Sequence, residues 1–271
     1  MTAPVNLYDS HYDQVNADVY QEIRRATYGE DLGQASWITA QECRQFCDRL
    51  GIRPEHRLLE VACGSGGVAT RIAEITGAEV VGVDINSFAI EAAQRRAAPP
   101  GARVRPQFML ADADRPLPFP DRSFDFVFCN DSINHFRDRL NVLRDWRRLL
   151  RPGGRCLYTD PVVVTGLVSN AELAARSSIG FFLFSAVGAN DRVIAQSGMR
   201  LAQSVDVTEG LVLTSARWLD ARRARREALT ELEGEPTFEE LQVFLGAVRT
   251  LGDERRLSRI AFVGQRLEDV V

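Results

Sequence analysis

Short apolar runs, each closed by a residue with special chemistry, set the order of elements in this chain. Leu58, Leu59 and Val61 make one such run, and Gly64-Ser65-Gly66-Gly67 follows almost at once. An apolar stretch of this length ending in glycines reads as a strand buried on both faces that turns sharply into a helix. Val80-Val81-Gly82-Val83 repeats the pattern and ends on the acid Asp84. Further runs place strands at 57–62, 78–83, 103–109, 124–129 and 154–160, with helical periodicity between them at about 66–76, 87–98 and 137–150. Leu149-Leu150-Arg151-Pro152-Gly153-Gly154 stops the third helix just ahead of the fifth strand. Strands alternating with helices imply an α/β fold, a parallel sheet covered on both faces and joined by right-handed crossovers.

The flanks break this rhythm. Residues 1–50 read as short helical pieces interrupted by Gly29, Gly33 and a helix start at Thr39, and they carry Tyr8, Tyr12, Tyr20, Tyr28 and Trp37. They are expected to form a helical N-terminal cap on a core spanning 51–271. Two insertions interrupt that core, at about 161–198 and 208–256. The first predicts one or two helices and the apolar cluster Ile179-Gly180-Phe181-Phe182-Leu183-Phe184. The second is a long helical excursion between strands at 200–207 and 258–265. Its Arg222, Arg223, Arg225 and Arg226 alternate with Glu227, Glu231 and Glu233, the pattern of a solvated helix face.

Composition narrows the function classes. Of 271 residues, 45% are hydrophobic and 26% charged, an ordinary globular balance. The net charge of −4 argues against nucleic acid as a partner. No apolar run approaches the roughly 18 residues of a membrane span, and Met1–Ser10 lacks a signal-peptide layout. The five cysteines, Cys43, Cys47, Cys63, Cys129 and Cys156, are odd in number and suit a reducing, cytoplasmic compartment. Cys43 and Cys47 share a helix face and are expected to pack inward, with no metal. Nothing in the pattern fixes an oligomeric state.

A glycine turn after the first strand and an acid ending the second make an adenosine site. Gly64-Ser65-Gly66-Gly67-Val68-Ala69 fits the dinucleotide fingerprint, so these residues alone leave a nicotinamide-dependent oxidoreductase open. Three later segments decide against it: Leu110-Ala111-Asp112-Ala113-Asp114 with the following Leu117–Val127, Asn130-Asp131-Ser132-Ile133-Asn134-His135, and the helix stop at Leu149–Gly154. In this order and spacing, over about 57–161, the chain resembles the class I S-adenosylmethionine-dependent methyltransferases. The resemblance implies a Rossmann-like sheet of seven strands with the last antiparallel, and S-adenosyl-L-methionine as cofactor. It departs from the family at Ala62, which stands where the turn's first glycine is usual; a methyl there is expected to reposition the turn slightly. The resemblance gives Glu60 a place near the cofactor's ammonium and the turn, and sets Ala62, Gly64, Ser65 and Gly66 under its methionine portion. Asp84 would take both ribose hydroxyls, Ile85 the adenine face, Asp112 with Ala113 the adenine edge, and Asn130 the methionine arm.

For the chemistry, His135 follows strand four at the carboxyl edge of the sheet, and its pKa class suits a general base near neutrality. Asp160, at the end of strand five, is expected to orient that imidazole. The segment resembles the Ser-x-His-His-x-x-Asp stretch of sugar methyltransferases, with Asn134 replacing the first histidine. Tyr28–Gln34 and Trp37 resemble the lead-in segment of small-molecule methyltransferases acting on sugars, sarcosine or dimethylglycine, and phosphoethanolamine. That segment folds over cofactor and substrate, which implies a cofactor contact for Trp37 and substrate contacts for Tyr28 and the latch candidates Tyr8 and Tyr12, with Asn134 a further substrate-contact candidate. Phe181 is a candidate wall of the acceptor pocket. The expected activity is methyl transfer to an oxygen, nitrogen or carbon of a small metabolite in biosynthesis. A non-catalytic protein that binds the same cofactor is the alternative from another class.

Overall fold

A computed structural model describes residue 12, residues 16–96 and residues 104–268. Tyr8 lies outside the described residues, as do the ends of the two termini and the approach to strand three.

Chain order gives α1 (Asp18–Tyr28), α2 (Ala40–Leu50), β1 (Arg57–Val61), α3 (Gly67–Thr76), β2 (Glu79–Asp84), α4 (Ser87–Arg95) and β3 (Gln107–Leu110). β4 (Phe124–Cys129), a short 3-10 turn at Ile133–His135, α5 (Arg139–Leu149) and β5 (Leu150–Val164) complete the alternating part. Then come α6 (Asn170–Arg176), β6 (Ser185–Ala186), α7 (Ala189–Gln196), β7 (Met199–Asp206), α8 (Thr208–Arg223), α9 (Arg226–Glu233), α10 (Glu235–Asp253) and β8 (Leu257–Arg266). The main path of the sheet runs β3-β2-β1-β4-β5-β8-β7. β1 to β5 are mutually parallel, whereas β8, last in the chain, lies antiparallel between β5 and β7. This is the expected seven-stranded arrangement, with two residues of β6 added in parallel to the far end of β5.

β5 is longer than its apolar core at 154–160 suggested. It starts at Leu150, pairs with Phe124, slips, and resumes with Arg155 opposite Phe126. The slip sits where Gly153 takes φ +77°, and where a Cβ on Gly154 would meet the Asp125 carbonyl at 2.9 Å.

Two apolar layers sandwich the sheet. Trp146, Leu143 and Leu149 of α5 bury one face with Val127, Tyr158 and Phe262. Phe46, Cys43, Cys47 and Leu50 of α2, with Ile72 of α3, bury the other against Leu58, Phe128 and Leu157. The two cysteines thus pack inward. The two N-terminal helices go to different places, since α1 joins the helical excursion through Ile23, Ala221, Leu229 and Phe238. Trp37, Trp218, Phe244 and Leu245 extend that layer. It roofs the carboxyl ends of β4 and β5. Among the described residues no helix is long and apolar enough to cross a membrane.

Candidate active site

The turn after β1 is built around backbone conformations that suit glycine: φ is +58° at Ala62, +53° at Gly64 and +74° at Gly66. Gly64 N–H donates to Asp84 Oδ2 at 2.8 Å, and Asn86 N–H donates to Oδ1 at 2.9 Å. β2 therefore ends with a carboxylate locked to the turn, with the Ile85 amide also donating to it. Burial pushes the Asp84 carboxyl above its ordinary range, although these amides favour its charge. Glu60 is more extreme. Burial first, then the charge of Asp84, holds it well above the usual carboxylate range, against the Ala69 amide that donates to it. Its Oε2 has no hydrogen-bond partner among the described residues.

These acids border a cavity of about 420 Å³ at the carboxyl edge, with Ala62, Ser65, Ile85, Asp112, Ala113 and Asn130 in its wall. Ile85 is 68% exposed into open space. Asp112 closes its own turn, accepting from Asp114 N–H at 3.0 Å, and lines the cavity as well.

A backbone strap from Leu32 to Ser36 lies across the turn. Arg96 holds it, donating to the Leu32 carbonyl at 3.2 Å and the Ser65 carbonyl at 3.1 Å. Ser65 Oγ donates to the Gly33 carbonyl at 2.9 Å. A Cβ on Gly67 would run into the Leu32 carbonyl, so the strap can lie there only over glycine. Gln34, Ala35 and Ser36 then form a shared wall with a second cavity of about 290 Å³.

Asp131 and His135 also border both cavities. His135 Nδ1 lies 2.7 Å from the Phe181 carbonyl. A carbonyl only accepts, so Nδ1 carries the proton and Nε2 the lone pair. Asn134 Nδ2 sits 3.3 Å from Nε2. Burial, then the charges of Arg176 and Arg139, keep the imidazole pKa below its ordinary 6.5, opposed by the Phe181 carbonyl and Asp131. The side chain is a neutral base at the junction.

Several expected site residues stand elsewhere. Asp160 is fully buried and accepts from Arg139 at 2.7 Å, Ser185 at 2.7 Å and Asn190 at 2.9 Å. It lines neither cavity, and orienting the imidazole falls to the Phe181 carbonyl instead. Trp37 borders the smaller cavity, not the larger, because its ring packs on Trp218 and Phe244. Tyr28 is buried and donates to the Ser36 carbonyl at 2.7 Å, supporting the strap from behind. Tyr12 lines the larger cavity, its hydroxyl 2.6 Å from where a Gly64 Cβ would stand. Gly66 lines neither cavity; a Cβ there would meet the Phe108 ring at 2.5 Å, so its glycine serves packing. Asn134 is fully buried and supports its neighbour His135. Phe181 is half exposed on the wall of the larger cavity, while Phe182 lines the smaller one with its ring edge-on to His135 at 4.8 Å.

One network was not anticipated. Arg259, fully buried on β8, donates to Asp131 at 2.6 Å, Glu42 at 2.6 Å and Asn130 at 3.0 Å. Asp131 in turn accepts from the Trp37 N–H at 2.9 Å. The signal was present as an arginine inside an apolar strand, Leu257–Val263, where only a buried partner would tolerate it.

A positive-φ glycine turn, an acid ending β2 and a histidine in the turn after β4, on a sheet with one reversed last strand, are the features expected of an adenosyl-cofactor transferase. Comparison with known proteins agrees. Residues 59–158 match the family described as a methyltransferase domain. The chain is 31% identical over 216 residues to the methyltransferase GfsG of Streptomyces halstedii, covering 73% of this chain and 74% of that protein. It is 29% identical over 265 residues to the 27-O-demethylrifamycin SV methyltransferase of Amycolatopsis mediterranei, covering 92% and 94%. Phosphoethanolamine N-methyltransferase 2 of Haemonchus contortus, solved with S-adenosylhomocysteine, superposes with a TM-score of 0.78 at 19% identity, over 98% of this chain and 61% of that one. This chain belongs to the class I S-adenosylmethionine-dependent methyltransferases. It is an enzyme that moves a methyl group from that cofactor to a small molecule, and no comparison supports a nicotinamide oxidoreductase or a non-catalytic binder.

Proposed function

We propose that this enzyme methylates a hydroxyl oxygen of a small biosynthetic intermediate in the cytoplasm, with cofactor in the larger cavity and acceptor in the smaller. One observation carries the reading: a neutral imidazole, its Nδ1 proton fixed on a carbonyl, stands where the two cavities meet. A hydroxyl must lose a proton as it becomes an ether, and a base with a depressed pKa accepts it at neutral pH. A relative that matches over most of both chains is named for an O-demethylated substrate, which supports oxygen as the acceptor atom. Five buried cysteines without a disulfide support a reducing compartment.

The residues present fit the cofactor. Two buried carboxyls, whose ionisation burial and mutual repulsion oppose, favour a ligand that brings positive charge, and about 420 Å³ lies within the usual range for such ligands. Glu60 would face the ammonium. Ala62, Gly64 and Ser65 would present the turn to the methionine arm with Asn130. Asp84 would hold the ribose, and Ile85, Asp112 and Ala113 the adenine. The bound cofactor supplies a methyl on an electrophilic sulfonium. The chain's own work is to orient the hydroxyl, exclude water and hold the proton on His135 Nε2.

The strap, α1, α6 and the α8–α10 excursion would act together as the cap over the acceptor, with the rest of residues 51–271 as the core that carries it. Tyr12 would latch over the methionine arm, and Asn134 would steady the imidazole. Turnover should be followed as S-adenosylhomocysteine release with phenols, sugars, hydroxy acids and amines. With the acceptor so found, His135→Ala is expected to lower kcat about 10²-fold or more. An unchanged kcat would remove the histidine from the chemistry.

A further inference from the structure

The segment between α6 and β6, residues 177–184, is neither helix nor strand, yet it supplies wall to both cavities. Gly180 and Phe181 border the larger one, Ile179 and Phe182 the smaller. Through the Phe181 carbonyl, 2.7 Å from Nδ1, the same segment holds the imidazole proton of His135. A loop keeps one such geometry only where its backbone polar groups are taken up. Leu183 is tied at both of its backbone groups. Its N–H donates to the Asn134 carbonyl at 2.8 Å, and its carbonyl accepts from Arg139 Nη2 at 2.6 Å.

Arg139 is the first residue of α5 and lines neither cavity. Its Nη1 donates to Asp160 at 2.7 Å and to the Asn190 side-chain oxygen at 3.3 Å. Asp160, fully buried, also accepts from Ser185 of β6 and Asn190 of α7. This cluster fixes the plane of one guanidinium, and a planar fork then delivers its second nitrogen to a carbonyl two residues from Phe181. A buried ion pair gives little net stability over apolar packing of the same volume, whereas it fixes directions that apolar packing does not.

We infer that Arg139 is a positioning residue for methyl transfer: held on Asp160, it clamps the loop so that the Phe181 carbonyl keeps the His135 proton on Nδ1 and Nε2 serves as the base. The inference rests on His135 being the base of the reaction. It gives Asp160 a part in the chemistry that runs through Arg139 and the loop, without contact to the imidazole.

The test reads the tautomer directly. The chain has three histidines, so nitrogen–proton NMR of histidine-labelled full-length protein can be assigned with His135→Ala. At about pH 8 the ring is neutral, and the natural chain is expected to show the His135 proton on Nδ1. Arg139→Lys keeps a cation on Asp160 but offers a point charge in place of the fork. Arg139→Met combined with Asp160→Asn removes the pair together, leaving neither charge buried alone. In both variants the proton should spread over the two ring nitrogens, with S-adenosylhomocysteine affinity unchanged. Turnover of phenols, sugars or hydroxy acids should fall about ten- to a hundredfold, the cost of a misplaced catalytic group. A ring that stays protonated on Nδ1 in both variants overturns the inference even if turnover falls, since ordinary destabilisation would lower turnover alone. A natural chain with the proton on Nε2 overturns it too. A proton that moves while turnover holds overturns the reading of His135 as the base, and with it the catalytic part of this inference.

Discussion

At the scale of single residues, the proposed cofactor site turns on two carboxyls with different tasks. Asp84 is pinned by the Gly64 and Asn86 amides. Asp84→Asn removes a charged acceptor at small change in shape, and S-adenosylhomocysteine affinity should fall about ten- to a hundredfold by calorimetry, the 1.5–3 kcal/mol of a charge-assisted bond. Glu60 is raised well above the usual carboxylate range. An acid whose folded pKa is raised binds more protons folded than unfolded, so its folding contribution worsens as pH rises from its ordinary value of 4.5 toward the raised one. Glu60→Gln should therefore raise the Tm of the cofactor-free chain, most clearly at neutral pH, while weakening cofactor binding. A lower Tm together with unchanged affinity would contradict the assignment. His135 makes a third prediction. Burial and the charges of Arg176 and Arg139 depress its pKa, so the acid limb of kcat/KM should fall below pH 6.5. Removing one positive neighbour through Arg176→Met should move that limb upward. A limb that stays in place would deny the imidazole its electrostatic setting.

At the scale of elements, the Arg259 guanidinium joins β8, the end of β4 and α2, and Asp131 extends the network to Trp37 just beyond the strap. Taking away the cation leaves Asp131 and Glu42 buried and unpaired, which costs about 3–5 kcal/mol. Arg259→Met should lower Tm by roughly 10 °C in a thermal scan. A variant as stable as the natural chain would show that the pairing is dispensable. The elements themselves were legible where the signal is local. Strand β1, the glycine turn and β2 were bounded to within a residue because apolar runs, glycines and a terminal acid punctuate them. Helices α3, α5, α6 and α7 fell within the spans that periodicity assigned. What the sequence hid were the partners of buried polar groups. Asp160 was read as ending its strand beside the site, but it lies inside β5, where Arg139, Ser185 and Asn190 reach it from α5, β6 and α7, and no local spacing reports that. The place of Trp37, expected against the cofactor and found on the smaller cavity, was hidden for a similar reason, since its neighbours Trp218 and Phe244 are about two hundred residues away.

At the scale of the whole molecule, the larger cavity on the sheet edge, proposed for the cofactor, and an aromatic chamber under the helical layer share one wall. Gln34, Ala35, Ser36, Asp131 and His135 make it, and the strap that supplies three of them is tied to the glycine turn by Arg96 and Ser65. Filling the larger cavity should tighten that strap, so amide exchange of Leu32–Ser36 is expected to slow when S-adenosylhomocysteine binds. The measurement that bears most directly on this arrangement is a crystal structure with S-adenosylhomocysteine. The account expects the ribose on Asp84, the adenine beside Ile85 and Asp112, and the sulfur at the shared wall near His135. A nucleoside bound in the smaller cavity, or a sulfur turned away from that wall, would contradict it.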